Sequence, residues 1–108
     1  MRIARLAAQD GGIARLEGRL DATTAPDVEA ALQAMVAEGA LLVDFEQVRY
    51  VSSAGLRVLL KAAKQAQAAG RRFGVFGLQP AVREVFEISG FDTVIATYAT
   101  LAEASAAG

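Results

Sequence analysis

Two adjacent serines, Ser52 and Ser53, stand at the head of an amphipathic segment and are followed by Ala54-Gly55-Leu56. A serine hydroxyl at a helix start either accepts a hydrogen bond from a backbone N–H and caps the helix, or faces solvent as a nucleophile or an acceptor of a phosphoryl group. One serine is enough for the cap. Taking Ser52 for it makes Val51 the preceding residue and Leu56 the fourth helical one, which is the spacing of a hydrophobic staple. Ser53 is then the first helical residue, with its hydroxyl free. Gly55 falls in the first turn, where glycine costs about 1 kcal/mol relative to alanine. That cost points to close approach of another backbone or of a partner. Read from the local sequence alone, the plainer use is the commoner one: a serine that only caps, and a glycine that only allows tight helix–strand packing.

Other chemistry has little to draw on. The sequence has no histidine and no cysteine, which removes serine-hydrolase triads, histidine-ligated metals, disulfides and thiolate chemistry. It has no G-x-x-x-x-G-K-[ST] loop and no G-x-S-x-G elbow, and no residue beside Ser53 is an evident activating base. We expect no catalytic residue, no cofactor and no metal: a protein that is not an enzyme.

The 108 residues suit one domain spanning 1–108, and 54% hydrophobic against 21% charged residues describes a chain that folds. The net charge of −1 is spread along the sequence, and Arg71-Arg72 is the one adjacent basic pair. Nucleic-acid binders carry a basic footprint, so no direct nucleic-acid contact is expected. No apolar run approaches the ~18 residues of a membrane span, and Met1-Arg2-Ile3-Ala4-Arg5 has no secretory pattern. The expectation is a cytoplasmic protein that does not engage the membrane.

The elements that must hold the serines follow from periodicity. Gln9-Asp10-Gly11-Gly12 signals a hairpin turn between a strand around residues 3–8 and a second over Ile13–Leu20. In the second, Ala14, Leu16, Gly18 and Leu20 share one face and Arg15, Glu17 and Arg19 the other. Asp21-Ala22-Thr23-Thr24 is a polar loop. Thr24 is placed to cap, and Pro26 to open, a helix carrying Val28, Ala31, Leu32, Met35 and Val36 and stopping at Gly39. Leu41–Phe45 reads as a short central strand. The helix behind the serines shows an inner stripe of Leu56, Leu59, Leu60 and Ala63, with Arg57, Lys61, Lys64 and Gln65 outward, and ends near Gly70. Phe73–Gly77 is a strand, and Pro80 opens a helix with Val82, Val85, Phe86 and Ser89 on one face, closed by Gly90. Val94–Ala96 is a final strand, and Thr100 to Glu103 has the spacing of a capping box. The order β-β-α-β-α-β-α-β-α predicts one α/β domain: a mixed, mostly parallel sheet of about four to five strands with about four helices and an opening β-hairpin.

Three separated stretches resemble a known family. Leu16-Glu17-Gly18-Arg19-Leu20-Asp21 is similar to its L-x-G-x-L-D. Val43-Asp44-Phe45 through Tyr50-Val51-Ser52-Ser53-Ala54-Gly55-Leu56 resembles its strand, loop and D-S-[ST]-G-L helix start. Gly77 through Phe86, followed by Ser89-Gly90, looks like its third strand-to-helix stretch. The family is the STAS domain (sulphate transporter and anti-sigma factor antagonist), in particular its stand-alone bacterial members. The resemblance implies an anti-sigma factor antagonist that works by partner switching in the regulation of transcription. Unphosphorylated, such a protein binds an anti-sigma factor serine/threonine kinase of GHKL type and releases the sigma factor. Phosphorylation of the serine matching Ser53 blocks that binding, and a PP2C-type phosphatase resets it. The partner surface so implied comprises Asp21, Thr23, Ser52, Ser53, Gly55 and Arg57. Two positions depart from the pattern: Ser52 stands for the family aspartate and Ala54 for the second Ser/Thr. The alternative is a STAS interaction subunit without phosphorylation, in a phospholipid ABC transporter or a signalling scaffold.

Overall fold

Alternating apolar residues over Arg2–Ala8 (β1) and Gly11–Leu20 (β2) pair antiparallel, with Ile3 opposite Leu16 and Leu6 opposite Ile13. A computed structural model describes residues 1–8 and 11–107. Gln9 and Asp10 of the expected turn lie outside the described residues, while Gly11 and Gly12 already belong to β2. From β2 the chain continues through α1 (Ala25–Glu38), β3 (Ala40–Val51), α2 (Ser53–Ala68), β4 (Phe73–Phe76), α3 (Pro80–Ser89), β5 (Ala96–Tyr98) and α4 (Leu101–Ala106).

The sheet runs β1-β2-β3-β4-β5 in sequence order, and every pair after the first is parallel. Right-handed crossovers between sequential parallel strands put the intervening helices on one face. The main core has this arrangement. Val28, Leu32 and Val36 of α1, Leu56 and Leu59 of α2, and Val82 and Phe86 of α3 close over Leu16, Val43, Phe45 and Val75 of the strands. On the opposite face α4 brings Ala104 against Ile13, Leu42 and Phe76. Asp44 shares that second face and is buried, with its carboxylate 3.2 Å from Arg15 Nε and accepting the Glu46 N–H at 2.9 Å.

Several boundaries differ from expectation, each for a packing reason. The central strand is not confined to Leu41–Phe45. It runs on to Val51 because β2 stays paired to it, through two register shifts, as far as Leu20 opposite Val51. The inward stripe of α2 is Gly55, Leu56, Val58, Leu59, Ala62 and Ala66, while Leu60 and Ala63 sit at its edge. The helix is rotated toward α1, where its outward residues also find partners: Lys61 Nζ lies 3.3 Å from Glu29 Oε1. On α3, Ser89 is exposed and its hydroxyl donates back to the Val85 carbonyl. The final strand is Ala96–Tyr98, because Phe91–Thr93 forms a 3₁₀ turn that leaves Val94 outside the sheet. Thr100 caps α4 by accepting the Glu103 N–H, but the Glu103 carboxylate accepts from Ala99 N–H, one residue before the cap.

Candidate functional site

The serines lie at the carboxyl ends of β2 and β3, the edge of a parallel sheet where α/β folds assemble their functional loops. Ser52 takes the extended backbone of an N-cap, and its Oγ accepts the Gly55 N–H at 3.3 Å. Its own N–H donates to the Leu20 carbonyl at 2.9 Å. That bond ties the start of α2 to the end of β2 and brings the Asp21 loop beside the serines. Ser53 is the first residue of α2 and is exposed. Because Ser52 supplies the cap oxygen, the cap makes no demand on the Ser53 hydroxyl. The first backbone N–H groups of any helix lack intrahelical partners, so Ser53 also sits at the positive end of the α2 dipole.

Gly55 is buried, and the reason is steric. A Cβ built on it would lie 2.6 Å from Leu20 Cγ, 2.9 Å from the Leu20 carbonyl oxygen and 3.0 Å from Val51 Cγ2. Any side chain here would hold α2 off the ends of β2 and β3. Of the two uses that the sequence leaves open for Gly55, the geometry supports close approach of another backbone: it faces inward and lets the helix start sit tight against the strands. Val51 and Leu56, the expected staple residues, are both buried.

The Asp21–Thr24 loop is locked by its own side chains. The Asp21 carboxylate accepts from Thr23 N–H at 3.0 Å, Thr23 Oγ1 at 2.7 Å and Thr24 N–H at 3.2 Å. These bonds favour the charged form and hold the Asp21 carboxyl below its ordinary range. The Thr23 hydroxyl contributes most, against a smaller opposing effect of desolvation. Thr24 occupies the position before α1, but its hydroxyl makes no cap bond. It donates instead to the Arg19 carbonyl at 2.9 Å and accepts the Asp21 N–H at 3.0 Å. The expected Thr24 cap is thus replaced by a loop clasp.

The structure brings Asp21, Thr23, Ser52 and Ser53 to one end of the molecule. Arg57 is exposed on α2, four residues beyond Ser53 and so on the same helix face. Two residues of this surface escaped the sequence reading. The Arg19 guanidinium lies 4.2 Å over the exposed ring of Tyr50, and its Nε is 3.8 Å from Asp21 Oδ2. Arg19 was legible as an outward residue of β2. Tyr50 was not legible as its partner, because the pairing of Arg19 with Tyr50 depends on the second register shift between the strands.

The family model described as "Mlab, STAS domain" matches residues 4–98, a stretch that holds the Asp21 loop, the capped start of α2 and the outward serine. The chain belongs to the STAS domain family. Its relatives include BtrV of Bordetella bronchiseptica, named as an anti-sigma factor antagonist. BtrV is 44% identical over 81 residues, or 73% of this chain and 70% of the relative. The anti-sigma-B factor antagonist of Listeria monocytogenes is 38% identical over 80 residues, 72% of this chain and 70% of that protein. Among solved structures, an anti-sigma factor antagonist from Mycobacterium paratuberculosis superposes with a TM-score of 0.90 at 29% identity, covering 98% of this STAS chain and 92% of the other.

Proposed function

We propose that this STAS domain is a phosphorylation-controlled anti-sigma factor antagonist and that Ser53 is its switch. The observation that carries the reading is the division of labour between the serines. Ser52 caps α2, and Ser53, exposed one residue later, has no structural duty at the cap. The names of the relatives supply the class of partner, an anti-sigma factor. In this reading the protein is regulatory and not catalytic, acts in the cytoplasm and binds no cofactor.

The switch works by charge. An anti-sigma factor serine kinase of GHKL type transfers the γ-phosphoryl group of ATP to Ser53 Oγ, with loss of the hydroxyl proton and release of ADP. A PP2C-type phosphatase hydrolyses the ester back to serine and inorganic phosphate. The phosphate adds about −1.5 to −2 charge at pH 7. Standing at a helix N-terminus it is locally favourable, so the domain stays folded and the effect is at the surface. The unmodified face, with Asp21, Thr23, Ser52, Arg57 and the Arg19–Tyr50 stack, docks closely against the kinase. With phosphate the same contact requires desolvation of a dianion and sets it against partner carboxylates. Like charges in contact cost several kcal/mol, and each 1.4 kcal/mol is tenfold in affinity, so a loss of about a hundredfold follows from one group.

The test is to incubate the protein with the candidate kinases of its genome and ATP, then measure intact mass with and without phosphatase and map the site. One phosphate, on Ser53, is expected, and none on Ser53→Ala. Modification elsewhere, or no modification by any kinase that binds the protein, overturns the reading. Ser52 in place of the family aspartate favours a second reading, an interaction subunit without phosphorylation. Co-purification with a transporter ATPase in place of a kinase would support it.

A further inference from the structure

Ser53, Arg57, Lys61 and Gln65 follow one another at four-residue steps along α2 and so share one helix face. The last two are spent on α1. Lys61 Nζ lies 3.3 Å from Glu29 Oε1, and Gln65 Nε2 donates to the Gln33 carbonyl at 3.2 Å. Both contacts join residues 32 apart, so α1 and α2 run parallel with that offset. One turn earlier the same offset sets Arg57 against Ala25, a buried residue with no charge to offer. Arg57 is exposed and makes no ion pair among the described residues. The next position up this face is Ser53, also exposed.

The helix itself carries no carboxylate that could take the Arg57 charge. A phosphate on Ser53 Oγ would. Cβ atoms four residues apart on a helix are separated by about 5–6 Å, which the long arginine side chain spans. Its planar guanidinium binds phosphate through two parallel N–H···O bonds. We propose that Arg57 is the built-in counter-ion of phosphorylated Ser53 and closes over the phosphate within one turn of α2. This inference rests on the reading of Ser53 as the phosphorylation site and adds how the modified state is held. Phosphorylation then changes the partner face twice. A dianion arrives, and the Arg57 cation that the unmodified face offers to a partner turns to the phosphate.

The other cations are committed or farther away. Arg19 stacks on Tyr50 and faces Asp21 at 3.8 Å. Lys61 stands two turns from Ser53 and holds Glu29, with Lys64 beyond it. Arg49 belongs to β3, before the chain turns into α2. The acids at this end are Asp21, beside the serines, and Asp27 in the first turn of α1. Asp21 already accepts from Thr23 and Thr24. Both carboxylates repel a phosphate, and Arg57 offsets their field.

The experiment uses the full chain with phosphoserine installed at position 53 during synthesis, so that no kinase is needed. A ³¹P NMR titration follows the second phosphate ionisation, ordinarily at about pH 6. Arg57→Gln should raise its midpoint by about 0.2–0.4 unit, the strength of an exposed pair one turn apart, because losing the cation favours the monoanion. The Arg57 Nε–H resonance should move as the phosphate becomes dianionic. Arg49→Gln and Lys64→Gln, each removing one exposed cation, should leave the midpoint where it is. The clamp is overturned if the wild type and Arg57→Gln titrate alike, or if either control shifts the midpoint as far as Arg57→Gln does. Because the phosphate is installed without a kinase, these results bear on Arg57 alone. A Ser53 that no kinase modifies counts against the switch alone.

Discussion

Gly55→Ala is the sharpest probe of how the serine turn is built, because two effects of opposite sign meet there. Alanine in place of glycine favours a helix by about 1 kcal/mol. Against this, the added methyl would stand 2.6 Å from Leu20 Cγ and 2.9 Å from the Leu20 carbonyl oxygen, where carbon contacts are optimal at about 3.5–4.0 Å. The carbonyl is held on the other side by the Ser52 N–H at 2.9 Å and by the pairing of Leu20 with Val51, so relief means moving α2 off the strands. Overpacking of this kind costs about 1–3 kcal/mol, and the clash with backbone puts this case at the upper end. The net expectation is destabilisation by about 1–2 kcal/mol, or a fall in Tm of about 4–8 °C for a chain of this size. Gly12→Ala is the control. A Cβ there meets only the Leu6 carbonyl oxygen at 3.7 Å and Leu41 Cδ1 at 3.9 Å, which is ordinary contact, so stability should hold or rise slightly. Urea unfolding of both variants, with unchanged m-values, gives the comparison. A Gly55→Ala protein as stable as the wild type would refute the close approach of helix and strand ends on which the site geometry rests.

Further outcomes follow from the same geometry. Ser52→Ala removes the cap bond to Gly55 and should cost about 0.5–2 kcal/mol, whereas Ser52→Asp keeps the cap, adds charge at the helix N-terminus and should match or exceed the wild type in low salt; thermal unfolding distinguishes them. Ser53→Asp should weaken capture of the cognate kinase in a pull-down or titration while stability stays within about 1 kcal/mol, and equal binding by the wild type and the Ala and Asp variants would defeat the switch. Its bonds to Thr23 and Thr24 hold the Asp21 carboxyl below the ordinary carboxylate range in the folded chain, so its contribution is present above the ordinary range and lost as pH falls through the lower folded one. NMR titration should show Asp21 moving back toward its ordinary range in Thr23→Val, and Asp21→Asn should flatten the acid limb of the stability profile below pH ~4. Arg15→Met leaves the buried Asp44 carboxylate with the Glu46 N–H as its one remaining partner among the described residues and should cost about 1–3 kcal/mol in urea unfolding.

Much of the architecture was readable from local signals. The helix starts at Pro26 and Pro80, the stop at left-handed Gly90 and the Ser52 cap are decided within a few residues, by fixed φ, by a φ of 74° that favours glycine and by hydrogen bonds that reach three residues along the chain. The alternation in β2 was enough to set Leu16 and Leu20 inward and Arg15 and Arg19 outward. The order of elements then required a parallel sheet with helices crossing over it. What failed did so where a distant partner decides. Residues 46–51 carry no strand pattern of their own and become part of β3 only because β2 pairs with them through shifted register. The face of α2 was drawn toward Leu60 and Ala63 by spacing alone, and the presence of α1 turned it toward Val58 and Ala62.

The site divides in the same way. Composition and motif alone determined that the candidate site is built on serine, that this sequence has no histidine or thiol to contribute, and that Ser53 follows a capping residue, since these are properties of residue type and of spacing within one helical turn. Tertiary structure decided the rest. It turned Gly55 inward against Leu20, locked the Asp21 loop beside the helix start and stacked Arg19 on Tyr50. These outcomes depend on how the ends of β2, β3 and α2 meet in space. Contacts between residues about thirty positions apart are set by the register and packing of whole elements, which no local pattern encodes.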